Sequence, residues 1–342
     1  MTRKSIFILI AVLLVLTACS KKQDGNTGQK AGDSNNKPLT DVTLVLNWSP
    51  NTNHTGLYAA RDLGYYAEEG LNVDIILPGA SGPNAIVGSG QVPFGVSFQE
   101  GVTDARVEGV PVVSIAAVIQ HNTSVFASPV SKNIKSPKDF EGKKYGGFGA
   151  AAEPAILESL MKEDGGADAD KVEILNVGEA DFFTSVQRDI DFSWIYYGWT
   201  GIEAELRGVE LDTIYLTDYS KKLDYYTPVI ITNEKTMKEQ PELVKAFMAA
   251  TAKGYQYAID HPEESAQILL KAVPELDKDL VIASQKWLSP RYQDDAAQWG
   301  LQKQEVWENY ASWLKEYNLL DKEFDAAAAF TNEFLPAADA SK

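Results

Sequence analysis

The chain has 342 residues, 44% of them apolar and 10% aromatic, which supports one large or two ordinary domains with true cores and excludes disorder throughout. Its formal charge of −17 repels phosphate backbones, so nucleic acid is not expected among its partners. A single cysteine, Cys19, leaves no disulfide framework and no thiolate metal cluster.

Arg3 and Lys4 precede an apolar run from Ile6 to Leu16 that is too short to cross a bilayer core, and Thr17-Ala18-Cys19 follows. This is the layout of a signal peptide over residues 1–18. Cys19 stands directly after the cleavage position, where LTAC resembles the lipobox of bacterial lipoproteins and implies lipid attachment; a soluble secreted protein with an incidental cysteine is the plainer alternative. Residues 19–40, rich in Gly, Ser, Asn and Lys, read as a flexible tether. The expected location is extracytoplasmic, lipid-anchored to the bacterial cell membrane.

From Asp41 onward strand-like runs alternate with helix-like ones. Strands are expected at Val42–Leu46, Val73–Leu77, Phe94–Val96, Val112–Val118, Lys144–Gly146, Val172–Leu175, Phe192–Ile195 and Thr213–Leu216. Helices begin near His54, Pro83, Glu100, Pro154, Phe182, Gly201 and Glu239. The alternation argues for an α/β fold with largely parallel sheets. It lapses around HNTSVFASPVSKNIKSPKDFEGKK, and LDYYTPVIITNEKTMKEQP is extended before a return to helices. A chain that leaves one lobe, builds a second and returns makes two α/β lobes joined by two extended crossings. The expected division is 41–126 with 229–342 as the first lobe and 127–228 as the second. Trp307, Tyr310, Trp313, Leu314 and Tyr317 recur at helical spacing and read as core.

In open α/β sheets ligands bind beyond the carboxyl ends of strands, so the strand-to-helix turns are the places to search. The first, Asn47 to His54, sets Trp48 beside the amides Asn47, Asn51 and Asn53. An aromatic slab ringed by amides suits a flat heteroaromatic ligand. The alternative folds Trp48 onto the core while Pro50 and the asparagines make turns, with Thr52, Asn53 or His54 capping the next helix. PGASGPN, Pro78 to Asn84, either brings its backbone close to a ligand or merely turns. GVSFQEG sets Ser97, Phe98, Gln99 and Glu100 at the end of the third strand. YGGFGAAAEPA is a glycine turn before a helix start, able to present N–H donors; Glu153 and Pro154 crowd an acid where a pyrophosphate would lie, so Gly147, Phe148 and Gly149 are not read as a dinucleotide fingerprint. DFSWIYYGWTGIEAE crowds Trp194, Tyr196, Tyr197 and Trp199 at a strand end, with Glu203 in the first turn of the next helix, where the dipole favours a carboxylate. About half of these aromatics must be core. Tyr225 and Tyr226, in the second crossing, either reach the cleft or pack a hinge.

His54, His121 and His261 lie far apart, no G-x-S-x-G elbow is present, and neither a metal site nor a catalytic cysteine is expected.

With LNWSPNTNHTGLYAARDLGYYAEEGL, GSGQVPFGVSFQE, GGFG and YYTPVI in view, the chain resembles the thiamine-precursor-binding lipoproteins of bacterial ABC importers, members of the NMT1/THI5-like family shared with fungal pyrimidine synthases. The similarity runs from Val42 to about Phe334. It implies a group II periplasmic-binding fold that closes on a small aminopyrimidine and delivers it to a membrane permease, the protein working as a monomer without a cofactor. The synthases of this family hold pyridoxal phosphate through a lysine and use a cysteine-rich motif; the corresponding positions here are Ser97 and the cysteine-free YYTPVI, which argues against an enzyme. Other binding proteins of this fold group take sulfonates, nitrate or riboflavin. On this reading Trp48, Phe98, Trp199 and either Tyr226 or Tyr196 stack on the ring, Asn47, Asn51 and Glu203 read its amino and ring-nitrogen edge, and Gly147, Phe148 and Gly149 hold the substituent.

Overall fold

The computed structural model describes residues 38–178 and 180–337; the expected signal peptide, Cys19 and residues 19–37 of the tether lie outside the described residues. The tether was expected to reach residue 40, but Thr40 already belongs to the first strand, its N–H donating to Gly70 O at 2.8 Å.

Ten strands form two five-stranded sheets. The first contains β1 (Thr40–Val45), β2 (Leu71–Ile76), β3 (Phe94–Ser97), β4 (Val112–Ala117) and β10 (Val229–Asn233), in the order β2-β1-β3-β10-β4. The second contains β5 (Ser124–Pro129), β6 (Lys144–Gly147), β7 (Glu173–Asn176), β8 (Phe192–Tyr196) and β9 (Leu211–Tyr215), in the order β7-β6-β8-β5-β9. The two orders are the same pattern. In each sheet the strand that arrives from the other lobe runs antiparallel and slots between the third and fourth strands. Each sheet is therefore mixed but largely parallel, as expected, with the inserted strand alone running against the other four. The periodicity missed β5 and β10 because they come from the crossings, outside the strand–helix alternation.

Both lobes are covered on both faces, which is why most strands are apolar throughout. Val42, Leu44 and Leu46 face a cluster with Phe94, Phe247 and Tyr255, while Val45 faces the opposite cluster with Val87, Val229 and Trp307. The edge strand β2 alternates instead, with Leu71 and Val73 buried and Asn72 and Asp74 exposed. In the second sheet Phe126, Tyr145 and Phe192 pack under the helix Glu153–Glu163, and Val125, Ala127 and Ile195 under Phe182–Arg188. The helix Thr55–Asp62 lies tight against the long helix Pro241–Asp260, where a Cβ on Gly254 would stand 2.1 Å from Gly56 O. That close approach fixes the turn leading into the first helix.

The lobe boundaries differ from expectation at two places. Residues 124–126 were assigned to the first lobe, but β5 pairs from Ser124 onward with β8 in the second sheet. The helix Gln304–Glu316 was also assigned whole to the first lobe; Trp307 does pack there, whereas Tyr310, Trp313 and Leu314 enter the second-lobe core. One amphipathic stripe thus serves two cores. The crossings are residues 118–123 and 216–228, the second carrying the short helical turns Leu216–Tyr219 and Lys221–Leu223. His121 of one crossing contacts Asp224 of the other at 2.7 Å, and Asn122 N–H donates to the same carboxylate at 2.9 Å.

Candidate functional site

Four large aromatics remain exposed just past strand ends: Trp48 (46%) after β1, Phe98 (36%) after β3, Phe148 (48%) after β6 and Tyr196 (37%) closing β8. Since β1 runs parallel to β3 and β6 to β8, each pair marks the carboxyl side of its sheet. Exposed aromatics paired at such strand ends in both sheets are uncommon without a ligand to cover them. Trp48, Phe98 and Tyr196 belong to the expected stacking set, whereas Phe148 was expected in the turn that holds the substituent.

The turn after β1 is organised by a buried histidine. Asn51 N–H donates to His54 Nδ1 at 3.2 Å, so the ring proton sits on Nε2, which donates to Asn47 Oδ1 at 2.9 Å. Burial pushes the imidazole down to about 3, keeping it neutral. Asn51 is otherwise engaged: its Oδ1 accepts from Asn53 N–H at 2.9 Å and its Nδ2 donates to Ser49 O at 3.1 Å. It is a cap rather than the ligand-reading amide expected from the sequence, because its side chain closes the turn Thr52–His54. Trp48 makes no ring contact among the described residues, so the alternative that buries it in the core does not hold.

Trp199 is placed differently. It packs partly buried against the first-lobe cluster of Tyr58, Ala266, Leu269 and Val281. The π-helical turn Tyr197–Gly201 that carries it is also tied to the first lobe: Thr52 Oγ1 donates to Ser284 Oγ at 2.6 Å, and Ser284 Oγ donates to Gly198 O. The turns carrying Trp48 and Trp199 therefore share one polar relay. Of the aromatics crowded at this strand end, Phe192 and Trp194 enter the second-lobe core and Tyr197 tilts against Trp287. Tyr196 alone shows its ring at the cleft.

At the end of β3 the side chains divide sharply. Gln99 accepts from Tyr226 N–H at 2.9 Å and donates to Val306 O at 3.3 Å, bracing the second crossing. Tyr226 is 1% exposed and its hydroxyl accepts from Lys303 N–H at 2.9 Å, so it is a hinge strut and not a stacking ring. Burial raises its hydroxyl to about 12. Glu100 is the residue the sequence reading passed over. Its Oε2 is buried without a hydrogen-bond partner, as are the Tyr225 hydroxyl and Asn84 Oδ1. Burial lifts the Glu100 carboxyl to about 7, the Tyr225 hydroxyl partly offsets the rise, and the Glu100 charge acts in turn on the phenols of Tyr225 and Tyr196. Glu203, chosen from the same position in its own helix, instead pairs with Arg207 one turn on, and Arg207 covers the Phe183 ring at 4.2 Å. The signal was a carboxylate in the first turn after a strand, and both residues carry it.

The glycine turn after β6 was expected to offer N–H donors to a ligand substituent. Phe148 N–H donates to both oxygens of Glu153 (3.0 and 3.1 Å), Ala150 N–H donates at 2.8 Å and the Tyr145 hydroxyl at 2.8 Å. A Cβ on Gly147 would lie 2.0 Å from Glu153 Oε2, so only glycine fits over the carboxylate. Gly149, at φ 89°, completes the turn. The Phe148 and Ala150 donors are satisfied internally, and Phe148 leaves its ring exposed instead.

A family model described as NMT1/THI5 like matches residues 51–265. The chain belongs to this family. Along 96% of its length this NMT1/THI5-like protein is 30% identical to a formylaminopyrimidine-binding protein of Halalkalibacterium halodurans, 98% of which is covered. It is also 30% identical over 86% of its length to a 4-amino-5-hydroxymethyl-2-methylpyrimidine phosphate synthase of Legionella pneumophila, covering 92% of that protein. Among solved structures, the periplasmic aliphatic sulphonate binding protein SsuA of Escherichia coli superposes with a TM-score of 0.65 at 14% identity, over 84% of this chain and 91% of the other. The fold is that of the periplasmic binding proteins, and the two 30% relatives carry different activities in their names. The site chemistry has to decide between them.

Proposed function

We propose that this protein is the substrate-binding component of an ABC importer and captures a thiamine pyrimidine precursor, a formylaminopyrimidine or a hydroxymethylpyrimidine. The observation that carries the reading is the set of exposed aromatics at the carboxyl ends of the strands, Trp48 and Phe98 in one sheet and Phe148 and Tyr196 in the other, with the buried carboxyl of Glu100 close enough to act on Tyr196. A planar ring stacks on such faces for about 0.5–1.5 kcal/mol per contact beyond its buried area. An exocyclic amine gives the buried Glu100 carboxyl a second donor beside the Tyr225 hydroxyl. Two features speak against the synthase reading. Ser97, at the position the resemblance gives to the cofactor lysine, has no amine for a Schiff base. Glu153 also fills the glycine turn with a carboxylate, so the N–H groups that would favour a phosphate, sulfonate or nitrate are already taken by like charge.

The protein acts as a binding protein without turnover, monomeric, held outside the cytoplasm by lipid at Cys19, with closure of the lobes presenting the ligand to its permease. Calorimetric titration of the purified protein with formylaminopyrimidine, hydroxymethylpyrimidine, thiamine, riboflavin, taurine and nitrate tests the assignment. Tight binding of an aminopyrimidine is expected. Binding of riboflavin or an oxyanion with none of the pyrimidines overturns it, and turnover with pyridoxal phosphate restores the synthase. Metabolic labelling with a radioactive fatty acid, lost in Cys19→Ser, tests the anchor.

A further inference from the structure

The hydrogen-bond chain in the turn after β1 fixes more than the shape of that turn. The hydrogen of a backbone N–H is set by the chain, so the Asn51 N–H pointing at His54 Nδ1 (3.2 Å) requires a lone pair there. A neutral ring that accepts at Nδ1 must donate at Nε2. The atom 2.9 Å from Nε2 must then be the oxygen of Asn47, since an amide NH₂ turned inward would meet a donor with a donor. Among the described residues both hydrogens of Asn47 Nδ2 are left without a partner, on a partly exposed residue next to Trp48 at the carboxyl end of β1. His54 itself is fully buried and touches the cleft only through this amide.

We propose that His54 is a positioning residue that locks the Asn47 amide with its NH₂ group toward the ligand, making this subsite a reader of hydrogen-bond acceptors. The inference rests on the aminopyrimidine reading above and narrows it: the ligand turns a ring nitrogen or a carbonyl oxygen, not its amine, toward Asn47. The amine is left for the acceptor Glu100. The two polar readers of the cleft thus have opposite senses, and a ring that offers only donors or only acceptors satisfies one of them at most.

The test is calorimetry on the full protein with a formylated aminopyrimidine, the same ring without the formyl group, and pyridine analogues in which one ring nitrogen is replaced by C–H. Asn47→Ala is expected to weaken binding about tenfold for every ligand except the one lacking the acceptor read here, for which wild type and variant converge. Asn47→Asp, which turns the donor into an acceptor, weakens the complete ligand more. Should Asn47→Asp bind it as tightly as wild type, the polarity is the reverse of that proposed and the inference falls while the function stands. His54→Gln, whose amide accepts from Asn51 and donates to Asn47, is expected to keep the discrimination among analogues, and His54→Leu to lose it; discrimination undiminished in a folded His54→Leu removes the positioning role. Nitrogen-15 NMR of the wild-type imidazole gives a readout without substitution. An Nε2–H tautomer at neutral pH supports the chain described, and an Nδ1–H tautomer or an imidazolium refutes it. If no aminopyrimidine binds the wild type, the function itself is wrong and this inference goes with it.

Discussion

The turns after β1 and β6 hold the same place in the two sheets, each following the strand next to the edge in an identical strand order, and they are closed in the same manner by opposite chemistry. In the first lobe a neutral side chain from the next helical turn, His54, reaches back to Asn51 and Asn47 and leaves an amide donor free. In the second, the carboxylate of Glu153 reaches back and takes up the donors of Phe148, Ala150 and Tyr145. A shared topology therefore fixes where a ligand is met but not which lobe reads its polar edge. On the function proposed above, the first lobe reads the ligand through hydrogen bonds, while the second offers mainly aromatic faces.

Replacing Glu153 by alanine should be the most damaging way to disturb this contrast. It strips a charged acceptor from three donors on a residue that is 2% exposed. At roughly 1.5–3 kcal/mol for a hydrogen bond to a charged group, partly compensated by entering water, the expected loss is about 3–5 kcal/mol in urea unfolding. A midpoint unchanged from wild type would mean that the turn does not depend on its carboxylate.

His54→Leu keeps the volume and removes both hydrogen bonds, for an expected loss of about 1–3 kcal/mol. The pH dependence is the sharper test. With its folded value lowered to about 3 from 6.5, the buried ring binds fewer protons than the unfolded chain between those pH values. Its contribution is fully present above pH 6.5 and is lost as the pH falls toward 3. His121 behaves in the opposite sense. The Asp224 carboxylate raises it to about 9, so its contribution is complete below pH 6.5 and disappears as the pH rises through 9. It is 43% exposed at the side chain, and solvent screening holds its share to about 1 kcal/mol or less. Unfolding free energies measured against pH for wild type, His54→Leu and His121→Gln should separate the two. A His54→Leu profile parallel to wild type between pH 3 and 6.5 would place the proton elsewhere.

Tyr226→Phe removes only the acceptor for Lys303 N–H, and about 1 kcal/mol of stability with ligand affinity unchanged is expected. A marked loss of affinity in a stable variant would return Tyr226 to the ligand wall. Smallest of all is Glu203→Gln, which breaks a surface ion pair one helical turn long and should cost about 0.3–0.5 kcal/mol. If it abolishes binding instead, Glu203 leaves Arg207 for the ligand on closure, and the carboxylate expected from the sequence was the right one.

The turns at strand ends were legible because their composition violates what a plain solvent loop needs: Trp48, Phe98 and Phe148 stand where small polar residues would serve. The direction of each side chain was not legible. Phe192, Trp194 and Tyr196 share a face of β8, and only packing under the helices shows that the first two are covered and the last is not. Glu100 and Glu203 look alike in one dimension, each following a strand by a few residues. What separates them is Tyr225, brought beside Glu100 by a crossing more than a hundred residues later in the chain. The antiparallel strands β5 and β10 were hidden for a related reason, since a local pattern registers that a segment is extended but not which partners it finds. Both lobes were nonetheless expected from the alternation and the two places where it lapses.

The helix Gln304–Glu316 anchors Trp307 among first-lobe residues and Trp313 among second-lobe residues, within two turns of one rigid rod. Such a rod behaves as an axle. One lobe can swing about it while both tryptophans stay seated, but sliding the lobes past each other would unseat one of them. The opening stroke is therefore expected to be a rotation with little translation, and spin labels placed near and far from the axle should report distance changes that grow in proportion to their separation from it.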